Sequence, residues 1–137
     1  MATFNKFNCF VEDLAEKKHN LGSDTLTIAL CAAANAPTAS NTVLANLTQI
    51  SYTNLSSRAV TTTSSAQTSG TYKLVLADLV LTASGSVGPF RYAVLYNDTA
   101  TNDELIGYAD YGSDITLANL ETLTIDFDGS AGAIVIS

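Results

Sequence analysis

The chain has 137 residues, 47% of them hydrophobic and only 14% charged, which excludes a disordered tail and fits one domain burying roughly two-thirds of its unfolded surface. Its net charge is −7, and its basic residues Lys6, Lys17, Lys18, Arg58, Lys73 and Arg91 are scattered. Nucleic acid and anionic membrane surfaces are therefore not expected as partners, because both are bound by grouped Lys and Arg.

Taken in order, residues Thr3 to Lys18 read as a helix, with Phe7, Phe10, Val11 and Leu14 at helical spacing and Lys17 and Lys18 near its C-terminal end. Gly22 marks the stop, so the chain divides into an N-terminal helix over about 3–19 and a β-rich body over about 24–137. Asp24 to Ala32 predicts the first strand, Leu26, Ile28 and Leu30 alternating with Thr25, Thr27 and Ala29. Ala33 to Asn41 is a loop broken by Pro37, and Thr42 to Ile50 predicts a short helix capped by Asn41. The Ser/Thr-rich run Ser51 to Gly70 is either a flexible linker or a solvated edge strand.

Tyr72 to Ala77 and Leu79 to Ala83 read as one long strand bent at Asp78, and Gly85 to Gly88 as a turn. The clearest element is Pro89 to Asn97, a central strand with Phe90, Tyr92, Val94 and Tyr96 on one face and Arg91, Ala93 and Leu95 on the other. Pro89 stands at its start, where a missing N–H does least harm. Asp98 to Asp103 is a polar loop, and further strands are predicted over Glu104 to Tyr111, Asp114 to Leu117, Glu121 to Phe127 and Ala133 to Ile136. Turn signals about every ten residues imply a mainly β fold, an antiparallel β-sandwich or barrel with an N-terminal α-helix and room for one further short helix.

Little in the chain points to chemistry. The single histidine, His19, follows two lysines at a helix end and reads as exposed, with no nucleophile or orienting partner near it in sequence. No Gly-x-Ser-x-Gly, His-Glu-x-x-His or phosphate-binding glycine loop occurs, so the chain is read as a non-enzyme without a cofactor. Cys9 and Cys31 lack the spacing of a zinc site. The start Met-Ala-Thr-Phe-Asn-Lys has no basic region followed by a long apolar run, so no secretory leader is expected, and both cysteines are expected as buried free thiols. No window approaches the ~18 apolar residues of a membrane span.

Carboxylates gather at Asp98, Asp103 and Glu104, at Asp110 and Asp114, and at Asp126 and Asp128. None matches the twelve-residue calcium loop, so they read as solvated loop residues rather than ligands. Asn46-Leu47-Thr48, Asn54-Leu55-Ser56 and Asn97-Asp98-Thr99 fit the glycosylation pattern, a chance expectation in so Asn- and Thr-rich a chain. Tyr92, Tyr96, Tyr108 and Tyr111 are candidate partner contacts, since tyrosine offers one apolar and one wet end. Phe4 and Phe7, on an apolar face near the N-terminus, are candidates of the same kind.

The run from Ser64 to Asp78, the segment Gly-Pro-Phe-Arg-Tyr-Ala-Val-Leu-Tyr-Asn-Asp-Thr-Ala, and Leu-Ile-Gly-Tyr-Ala-Asp-Tyr-Gly resemble a family of small virion-associated proteins encoded among the head genes of tailed bacteriophages. The start Phe-Asn-Lys-Phe-Asn-Cys-Phe-Val-Glu-Asp-Leu-Ala-Glu-Lys-Lys-His-Asn-Leu, with Asp-Thr-Leu-Thr-Ile-Ala-Leu after it, extends the resemblance over nearly the whole chain. The resemblance implies a capsid decoration or cement protein, made in the host cytoplasm and seated on the capsid exterior of the virion. Its partner would be the major capsid (coat) protein, and a homo-oligomer such as a trimer would bridge several coat subunits. A tail, baseplate or fibre component is the nearest alternative. A carbohydrate-binding β-module is the next, disfavoured by the absence of tryptophan.

Overall fold

The computed structural model describes residues 4–137. In chain order its elements are β1 (Phe4–Lys6), α1 (Cys9–Ala15), β2 (Leu26–Cys31), β3 (Ala59–Val60), β4 (Thr62–Thr68), β5 (Thr71–Leu76), β6 (Leu79–Thr82), β7 (Val87–Asn97), β8 (Leu105–Leu117), β9 (Thr122–Ile125) and β10 (Ile134–Ile136). Two short 3-10 turns sit at Ala33–Asn35 and Leu44–Asn46. The fold is mainly β, as expected, with antiparallel pairing in every ladder and no closed barrel.

The largest sheet has the order β1-β8-β7-β2-β3, a second has β10-β5-β4, and β6 pairs with β9. The main core takes Leu26, Ile28 and Leu30 from β2, Ala93 and Leu95 from β7, and Leu74 and Leu76 from β5. A second cluster, Phe7, Ala29, Cys31, Tyr92, Val94, Tyr96 and Leu105, covers the opposite face of the large sheet. Burial on both faces explains why all of β2 is inside.

β7 is the central strand its alternation predicts, but Phe90 sits in the main core with Ala93 and Leu95, not on the face of Tyr92. The register with β8 slips between Phe90 and Tyr92. On β8 the slack is taken up around Gly112, whose φ is +84°, and Asp110 Oδ1 accepts the Gly112 N–H at 2.8 Å. A bulge of this kind re-aims the side chains on either side of it. Residues 114–117 are accordingly a continuation of β8 rather than a separate strand.

The predicted N-terminal helix is shorter than its pattern. Thr3 lies outside the described residues, Phe4 to Lys6 pair with β8 as a strand, and α1 spans only seven residues. The competing ladder wins because Gly107 leaves room for Phe4: a Cβ at Gly107 would stand 2.5 Å from the Phe4 ring. The helix stops well before Gly22, at a turn where Lys17 has φ +69°.

The predicted helix over Thr42 to Ile50 is reduced to the 3-10 turn. Asn46 Oδ1, not Asn41, gathers the local donors, accepting from the Thr42 and Val43 backbone at 3.0 and 3.2 Å and from the Thr42 hydroxyl at 3.1 Å. Asn41 Oδ1 instead accepts the Thr38 N–H at 2.8 Å, and Ile50 N–H is drawn to the Leu30 carbonyl. Ser51 to Gly70 contains the edge strand β4, closed onto β5 by Ser69 and Gly70 at φ +50° and +86°. Two positive φ values in a two-residue connection suit the twist of a hairpin.

The strand expected to bend at Asp78 is two strands in two sheets, β5 and β6. Asp78 Oδ1 accepts the Phe127 N–H at 2.9 Å, which ties the crossing to the end of β9.

Candidate functional site

Three of the six candidate contact residues are withdrawn by burial. Phe7, Tyr92 and Tyr96 belong to the second cluster, where Phe7 stacks at 5.0 Å and Tyr92 at 6.5 Å on the ring of half-buried Tyr108. The large sheet is covered on both faces, so these aromatics are core rather than surface. Of the remaining three, Tyr108 stays half-buried against that cluster, while Phe4 and Tyr111 come together in one pocket of about 310 Å³, with Asp126 and Asp128 also on its wall.

That pocket continues past Phe4 and Ala133 into a larger groove of about 770 Å³. The rims of the groove are strands β1 and β10, its wall is α1, and Phe10 and Ile106 reach up from the core. Among the described residues β1 pairs only with β8, and β10 only with β5. Each therefore presents a free edge. Val11, Val135 and Ile136, which line the groove, are 54%, 48% and 41% exposed.

The sequence singled out Ile-Val-Ile near the C-terminus as a strand but not as a contact surface. Its lack of any charge was the available signal, since exposed edges are ordinarily guarded by charge or proline. Its neighbour β1 was hidden within a helical pattern.

Asp126 is exposed and, among the described residues, makes no hydrogen bond or ion pair. Asp128 differs: its Oδ1 accepts the Ala131 and Ser130 N–H groups at 2.7 and 2.8 Å, and these hold its pKa below the usual carboxylate value. Burial pushes the Tyr111 phenol up, and the charge of Asp126 adds to the shift. Tyr111 thus stays neutral where it lines the pocket.

The chain matches no known family model, no curated protein and no solved structure.

His19 corrects another expectation. It is buried, with its ring 5.4 Å from that of Phe10, and its Nδ1 lies 3.0 Å from Asn97 Nδ2. Asn97 also donates to Asp24 Oδ2 at 2.6 Å, and its Oδ1 accepts the N–H groups of Thr99 and Ala100 at 3.0 and 3.1 Å. This makes Asn97 a closed structural junction, inaccessible as a glycan acceptor. Burial lowers the His19 pKa, so the ring is neutral at pH 7.

The thiols are equally inert. Cys31 is buried and Cys9 half-buried, neither in a disulfide. Burial pushes both up to about 11, with Asp13 adding to the shift at Cys9. A thiol of that pKa offers negligible thiolate at neutral pH. Among the described residues no three His, Cys, Asp or Glu side chains converge as metal ligands, and no helix is long and apolar enough to cross a membrane.

Proposed function

We propose that the chain is a non-catalytic structural protein of a phage virion, a decoration or cement protein that binds the outside of the head lattice and bridges coat subunits. The observation that supports this best is the apolar groove between β1 and β10 on a chain of net charge −7. A contiguous exposed apolar surface marks a site of protein association. The sequence resemblance supplies the kind of partner, and the acidity suits a position facing solvent rather than packaged DNA.

The mechanism is linkage. A protein that binds the assembled, expanded lattice and not its separate subunits stabilises the lattice by mass action. Self-association into a homo-oligomer, a trimer included, multiplies weak contacts into avidity. Purified protein is mixed with expanded heads lacking it and with isolated tails, and each is sedimented. Saturable binding to heads is expected. Cosedimentation with tails alone transfers the role to a tail, baseplate or fibre component, and binding to neither overturns a virion role.

A further inference from the structure

We propose that the cleft between β1 and β10 accepts an extended apolar segment of a partner protein as an added strand, with a basic side chain at the C-terminal end of that segment against Asp126. This deepens the proposed function and rests on its reading of the cleft as a protein-binding surface.

Three observations carry it. First, among the described residues both rims are free strand edges, each already paired antiparallel on its far side, and an unpaired edge is a template for one more strand. Second, the groove between them is apolar, reaching from exposed Val11, Val135 and Ile136 down to buried Phe10 and Ile106. An entering strand finds backbone partners at its edges and burial for alternate side chains.

The third observation sets direction and charge. Phe4 and Ala133 line both the groove and the neighbouring pocket that holds Asp126, whereas Lys6 and Ile136 line only the groove. Both rim strands therefore run away from Asp126. A strand antiparallel to both would run toward it, so its C-terminal end meets an exposed carboxylate that has no other partner among the described residues. A basic residue there is complementary, and one at the opposite end meets Lys6 instead. The rim strands have three residues each, so the paired part of the segment is short.

The test uses N-terminally labelled hexapeptides of alternating valine and threonine, amidated and ending in lysine or in glutamate, and a third with lysine moved to the first position. Binding to the full chain is read by fluorescence anisotropy. The C-terminal lysine peptide should bind saturably and about fivefold more tightly than the other two. Val135→Lys should weaken it at least about tenfold, whereas Val80→Lys, at an exposed position of β6 outside the groove, should not. Asp126→Asn should abolish the preference for lysine without abolishing binding.

No saturable binding up to about 1 mM, or equal affinity for all three peptides, overturns the proposal. So does a concentration-dependent dimer that Val135→Lys disperses, since a second copy of the chain would then be the occupant. Heads bound while every peptide is refused would overturn this occupant and leave the decoration role standing.

Discussion

Asn97 Nδ2 stands 3.0 Å from Nδ1 of His19, joining the end of β7 to a residue 78 positions earlier. The two N–H groups held by Asn97 Oδ1 fix which end of the amide is the donor. His19 Nδ1 is consequently the acceptor and its Nε2 carries the proton. That buried Nε2 has no partner among the described residues.

Replacing Asn97 with alanine strands the buried histidine nitrogen and unpairs the part-buried Thr99 and Ala100 N–H groups at once. The expected loss is about 2–4 kcal/mol of unfolding free energy. Urea denaturation of wild type and Asn97→Ala measures it, and a loss within experimental scatter would mean the junction is replaceable by water.

The same pair predicts a pH dependence. Burial lowers the His19 pKa below 6.5 although Asp13, Glu104 and Asp24 pull it upward; Lys18 adds to the lowering. The unfolded chain therefore takes up the proton first. The stability this histidine contributes is complete above pH 6.5 and is lost as pH falls from there to the folded-state value. Denaturation midpoints at about pH 7.5 and about pH 5.5 should differ more for wild type than for His19→Gln.

Gly107 and Phe4 form a second testable pair. A methyl at Gly107 collides with the Phe4 ring, so Gly107→Ala should cost about 1–3 kcal/mol. Phe4→Ala combined with Gly107→Ala should cost less than the sum of the two single changes, because the first removes the nearer of two obstacles, the other being the Asn5 carbonyl oxygen at 2.8 Å. Additive losses in a double-mutant cycle would show that the backbone at Gly107, rather than the ring, resists substitution.

The thiols give a prediction of reactivity. With Cys9 and Cys31 both pushed up to about 11, iodoacetamide at neutral pH should leave the native chain unmodified over a period that fully alkylates the unfolded one. Mass spectrometry counts the adducts. Rapid single labelling in the native state would identify Cys9 as more open than its surroundings imply.

Alternation of large apolar residues with Thr and Ala made β2 legible, and aromatic and β-branched residues at every second position made β7 legible, although both strands are buried on both faces. What alternation could not convey was a face change within a strand: Phe90 sits opposite Tyr92 because of slack in β8, a separate segment. Phe4 to Lys6 looked helical because the competing ladder depends on the small residue at Gly107, a hundred positions on. His19 looked exposed for a similar reason, since its partner Asn97 closes over it only in the fold. The candidate site was the least legible part, being made where the two ends of the described chain meet. Phe4 and Tyr111 stand out in the sequence for their aromatic character, yet apart from Phe4 the exposed large apolar lining of the groove is Val11, Val135 and Ile136, ordinary residues that become notable only where the described residues leave them uncovered.

The central claim, that this protein stabilises a head lattice by binding its exterior, is tested most directly by heating expanded heads with and without saturating protein and following genome release. Decorated heads should release their genome at a higher temperature, with a smaller rise when Val135→Lys replaces the wild-type chain. An unchanged release temperature at demonstrated saturation would contradict it.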